Sequence, residues 1–134
     1  MQNIVIGKKL SDKIFFTSFI KEEELIKLLD ESEFVVLPAI YSISASGPMS
    51  QAISLRKPII STNLGTNSSE IQDGIDGLLC KPRDAESLEN AISRLIKDEH
   101  LRMNLISNVK IKADNRSWNN IAKKTFEIYN IQVK

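Results

Sequence analysis

The chain has 134 residues, 42% of them hydrophobic, with 18 basic and 17 acidic side chains and a formal net charge of +1. This is enough for one domain with a real core and too little for two. The interspersed, nearly balanced charges exclude a nucleic-acid-binding face; the single Cys80 excludes an internal disulfide or a cysteine-built zinc cluster; and no stretch approaches the ~18 apolar residues of a membrane span.

Residues 3–7 and 13–17 are short β-branched and aromatic runs bounded by Gly or polar residues, and both predict strands. The opening Met1-Gln-Asn-Ile-Val-Ile-Gly7 lacks the basic leader of a secretory signal, and the lone cysteine suits a reducing compartment. A cytoplasmic protein is expected. Over 21–32, Leu25, Leu28 and Leu29 line one face and Glu22, Glu23, Lys27 and Glu31 the other, which predicts an amphipathic helix.

Phe34-Val-Val-Leu37 is apolar on both faces, as a strand covered by helices on both sides must be. Pro38 closes it. A helix follows from about Pro48 to Leu55, with Pro48 suited to its first turn and Met49, Ala52 and Ile53 at helical spacing, ending at Lys57-Pro58. Pro58-Ile-Ile-Ser61 predicts the next buried strand, 68–72 a short helix ending in Asp73-Gly74, and Gly77-Leu-Leu-Cys80 a last strand. The remaining third is helical. Asp84 caps a helix to Lys97, a second runs from Glu99 to about Lys112, and a third, capped by Ser117, runs from Trp118 to Tyr129. Strand–helix alternation of this kind predicts an α/β fold, a doubly wound parallel sheet in which ligands sit at the carboxyl ends of the strands.

The loop Ser44-Ala-Ser-Gly47 lies at such an end. It offers small side chains and backbone N–H groups at a helix N-terminus, where an anionic group can be held. Other candidates are better explained structurally. Cys80 follows a strand end as a small buried hydrophobe, His100 opens a helix where solvent is close, Trp118 packs the last helix, and Glu22-Glu-Glu24 is a solvated first turn suited to the helix dipole.

At these residues a resemblance emerges. Val35-Val-Leu-Pro38, Tyr41, Gln51-Ala52, Lys57-Pro-Ile-Ile-Ser-Thr62, Gly65, Asp73-Gly-x-x-Gly-Leu-Leu79, Pro82, Asp84 and Ser117-Trp118 together resemble the C-terminal, nucleotide-sugar-binding half of group-one (family four type) GT-B glycosyltransferases. The resemblance spans about Ile14 to Tyr129. It implies a Rossmann-like doubly wound parallel sheet with a helical C-terminal tail, forming a single C-terminal-type domain over 1–134, incomplete at its N-terminus. The family's acceptor domain and its phosphate-gripping Gly-Arg and Lys side chains would lie upstream. It also implies transfer of a hexose-type sugar, with retention favoured, from a nucleoside diphosphate sugar to an unknown acceptor: a sugar, a lipid or a polysaccharide. A lipid acceptor would place the protein at the inner face of a membrane. No metal or other cofactor is expected.

Residue by residue, the resemblance places Ser44, Ala45, Ser46, Gly47 and Met49 against the donor diphosphate, Gln51 on the ribose hydroxyls, and Phe19 and Ile20 beside the nucleobase. Some positions depart from the family pattern. Gln51 replaces the second glutamate of a Glu-x7-Glu pair, and Ile43 stands eight residues earlier where the first would be, with Ser42 and Ser44 the nearest polar substitutes. Ser18 replaces a glycine before Phe19, Thr66 replaces the second glycine of a pair, and Ser69, rather than Glu70, occupies a position where the family carries a glutamate. No catalytic residue is assigned. Two alternatives stay open: a non-catalytic GT-B-like binding or interaction module, which would pair with an acceptor domain or self-associate, and a GT-B-type epimerase.

Overall fold

A computed structural model describes residues 8–41 and 47–132, and side chains as far as 130. The strand expected over 3–7 lies outside the described residues, as does the loop 42–46 with Ser44, Ala45 and Ser46. The elements are α1 (Glu22–Glu31), β1 (Val35–Leu37), α2 (Gly47–Ser54), β2 (Ile59–Thr62), α3 (Thr66–Glu70), β3 (Gly77–Cys80), α4 (Ala85–Lys97), α5 (Glu99–Asn115) and α6 (Trp118–Gln132).

The strands form one parallel sheet in the order β1-β2-β3. Val36 pairs with Ile60, and Ile60 with Leu78. Side chains alternate across the pleat, so each strand feeds two layers. On one face Val36, Ile60, Leu78 and Cys80 meet Ala91 and Leu95 of α4 and Leu101 and Leu105 of α5. On the other, Val35, Leu37, Ile59 and Leu79 meet Met49, Ala52 and Ile53 of α2, together with Ile71 and Ala113. β2, central and covered on both faces, has all four residues buried. This is the doubly wound α/β sheet that the sequence predicts.

Polar ties hold the layers together at the end where the crossovers enter the strands. Lys112 of α5 reaches the Asp76 carboxylate and the Glu70 carbonyl oxygen, and Asn108 Nδ2 donates to the Ile75 oxygen at 2.9 Å. The pattern Asp73-Gly-x-x-Gly77 starts β3. Gly74 takes a left-handed φ of 75°, its N–H donates to the Gly77 oxygen at 2.8 Å, and Asp73 Oδ1 accepts from the Leu79 N–H at 2.8 Å.

One expected element is corrected. Residues 13–17 form no strand; they run irregularly and exposed, with Phe15 at 81% accessibility. A strand needs a ladder partner for its N–H and C=O groups, and among the described residues β1 pairs with β2 alone.

Candidate functional site

Because the sheet is parallel, β1, β2 and β3 all deliver their carboxyl ends to one edge. Side-chain hydrogen bonds brace that edge. Thr62 Oγ1 donates to the Ala39 oxygen at 2.7 Å, Ser61 Oγ to the Leu37 oxygen at 3.1 Å, and Asn67 Nδ2 to Ser61 Oγ at 2.9 Å. Asn67 is 1% exposed, and its Oδ1 accepts no hydrogen bond among the described residues. The Asn63 N–H donates to the Cys80 oxygen at 2.8 Å, joining the exits of β2 and β3.

Helix α2 opens at this edge with Gly47 exposed. A Cβ built on Gly47 would meet no heavy atom of the described residues within 4 Å. The positive end of the helix dipole faces this edge. Met49 is placed differently from a side-chain ligand: it is buried in the core layer beneath α2, so only its backbone could face a diphosphate. Gln51 sits one turn into α2 and is half-buried. Phe19 is 97% exposed and Ile20 half-buried, on the irregular segment that leads into α1. The structure therefore puts Gly47, Met49 and Gln51 on one helix and Phe19 and Ile20 on a separate segment.

Sequence reasoning missed one feature of this edge. The Arg83 guanidinium lies over the Tyr41 ring, 5.4 Å from its centroid. Arg83 lines a cleft of about 240 Å³ together with Pro38, Ile40, Thr62, Lys81 and Asp84. Only the turn signal at Pro82 marked the position in the sequence. A second cleft, of about 440 Å³, lies at the other end of α2 between Ile53, Arg56, Asp114, Trp118 and Ile121.

The bland readings hold for two residues. Cys80 is buried, and that burial pushes its thiol pKa up, with a smaller upward push from Asp84 partly opposed by a backbone hydrogen bond. A thiol kept protonated is a poor nucleophile. His100 is exposed in the first turn of α5.

A three-stranded parallel sheet with helices on both faces and a helix N-terminus at its carboxyl edge is a Rossmann-like arrangement. The chain belongs to the glycosyl transferases group 1 family, whose description matches residues 1–112. Among relatives, it is 25% identical over 123 residues to a glycosyltransferase of Methanocaldococcus jannaschii, covering 91% of this chain and 31% of that protein. It superposes on Anabaena HepE in complex with UDP with a TM-score of 0.81 at 18% identity, covering 96% of this chain and 35% of the other. It also superposes on the C-terminal domain of the group 1 family protein LpcC from Francisella tularensis with a TM-score of 0.77 at 22% identity, covering 86% and 59%. The chain thus spans about a third of the first two proteins and corresponds to a C-terminal GT-B-like domain. Among the described residues no helix is long and apolar enough to cross a membrane.

Proposed function

We propose that this chain is the donor-binding half of a glycosyltransferase that moves a hexose-type sugar from a nucleoside diphosphate sugar to an acceptor bound by a separate N-terminal domain. One observation carries the reading: the N-terminus of α2 at Gly47, exposed on the carboxyl edge of the sheet, where a Cβ would meet no described heavy atom within 4 Å. The UDP held by the similar Anabaena fold supports it, as do relatives that transfer sugars.

In this reading the diphosphate lies against the first turn of α2, and the helix dipole stabilises the charge that develops on the departing nucleoside diphosphate. Gln51 hydrogen-bonds the ribose hydroxyls as a neutral partner, contributing less than a carboxylate would. Phe19, nearly free of contacts in this chain, supplies an apolar wall for the nucleobase. The chemistry calls for no metal, and retention of anomeric configuration goes with the family. A cytoplasmic setting, at the inner face of a membrane where the acceptor is a lipid, completes the proposal.

Calorimetry on the natural full-length polypeptide carrying these residues, with UDP and GDP, tests it. Binding of one of them is expected, and the absence of binding at millimolar concentration overturns it. Gly47→Val sharpens the result. Its Cβ meets no heavy atom of the described residues within 4 Å, at a position without left-handed φ, so the melting temperature should stay within about 2 °C of the parent, while nucleotide affinity should fall at least tenfold because the phosphate can no longer approach the backbone.

A further inference from the structure

We propose that Arg83, seated on the face of Tyr41, contacts the phosphate groups of the bound donor; the proposal rests on the donor-binding reading above. The turn that leaves β3 runs through Pro82 and Arg83, and Arg83 has a φ of 58°. Glycine or asparagine takes that left-handed position after a turn proline with little strain, whereas an arginine there is strained. The turn accounts for the conformation but not for the choice of side chain. Arg56 also has a left-handed φ, of 60°, but it terminates α2, with the Lys57 N–H donating back to the Ala52 oxygen at 2.9 Å.

Charge pairing separates Arg83 from three of the other four arginines, Arg94 being the exception. Arg56, Arg102 and Arg116 each reach a carboxylate, on Asp114, Glu33 and Glu70 respectively. Among the described residues Arg83 has no ion-pair partner. The adjacent Asp84 caps α4 instead, its Oδ1 accepting from the Ser87 N–H at 2.9 Å. What Arg83 does have is the Tyr41 ring, 5.4 Å away. Stacking on an aromatic face fixes the plane of the guanidinium and leaves its edge N–H donors unspent. That edge matches a phosphate bidentately.

Position supplies the third argument. Tyr41 follows β1 on the carboxyl edge, and the chain opens α2 at Gly47 only six residues later. Lys81 lines the same cleft and adds positive charge on the same side. A strained, aromatically seated cation without an ion-pair partner among the described residues, on the same carboxyl edge of the sheet at which α2 opens, is built to meet an anion.

The test compares the parent polypeptide with Arg83→Gly and Tyr41→Ala, using whichever of UDP and GDP the parent binds, the matching nucleoside and inorganic pyrophosphate. Arg83→Gly should weaken the nucleoside diphosphate about tenfold and pyrophosphate similarly, leave the nucleoside unchanged, and raise the melting temperature by about 3 °C because the turn strain is relieved. Tyr41→Ala should weaken the diphosphate in the same direction. A merely structural role would instead lower the melting temperature and weaken nucleoside and diphosphate alike, which overturns the proposal. Diphosphate binding unchanged in Arg83→Gly also overturns it while leaving the donor reading intact. If the parent binds neither nucleotide, the donor reading itself falls.

Discussion

At Gly77 the fold leaves no room for a side chain. A Cβ there would lie 2.6 Å from the Ile59 oxygen and 2.8 Å from Ile71 Cγ2, and the backbone oxygen belongs to the central strand. Gly77→Ala should therefore cost about 3 kcal/mol, read as a lower urea midpoint with an unchanged m-value. The second glycine of Asp73-Gly-x-x-Gly was visible in the sequence, but its reason was not, since Ile59 and Ile71 come from other elements. Cys80 gives a pH signature. Burial raises its pKa above the ordinary 9.0, so the folded thiol keeps its proton after the unfolded one has begun to release it. The unfolded state then binds fewer protons, and stability falls as pH rises through 9 towards the folded value. Below 9 the contribution is complete. Chemical unfolding at pH 8 and pH 10 should show a smaller loss for Cys80→Ala than for the parent. Arg83 marks the limit of residue-level reading: its meaning depends on a ring brought in from β1's exit, which no local pattern announces.

Elements were legible where capping and periodicity agreed. Asp84 accepts from the Ser87 N–H at 2.9 Å, and α4 begins where that cap predicts; α5 begins at Glu99 as its periodicity predicts, with Asp98 accepting from the Leu101 N–H at 2.9 Å. Asp84→Ala should lower stability by about 1 kcal/mol, measured as a shift in thermal midpoint with the helix content of the folded state retained. Boundaries moved where a tertiary contact or backbone angle decided them. α3 spans Thr66–Glu70 rather than 68–72, since Gly65, at a φ of 51°, turns the chain into the helix earlier. α5 continues past 112 to Asn115 because Ala113 packs beneath α2 and Lys112 ties α5 to Asp76 and Glu70. The strand expected over 13–17 failed for a reason propensity cannot see. Isoleucine and phenylalanine favour a pleat only when a neighbouring strand accepts the hydrogen bonds.

For the whole molecule, strand–helix alternation made the parallel, doubly layered sheet readable, and parallelism alone located the edge to which all three strand exits belong. The distribution of apolar surface was not readable. Trp118, at 85% accessibility, with Phe126 and Tyr129 lies exposed on α6, and no described side chain of α6 is buried. α5 behaves oppositely, contributing Leu101 and Leu105 to one core layer and Ala113 to the other. A variant ending after Arg116 should consequently keep its cooperative thermal transition within about 4 °C of the parent, whereas one ending before Lys112 should lose it, as circular dichroism would record. For protein engineering, this contrast sets a cutting rule. A chimaera that grafts this domain onto a foreign partner can exchange everything beyond α5, but α5 must travel with the sheet, because among the described residues it is the one helix stitched into both of its faces.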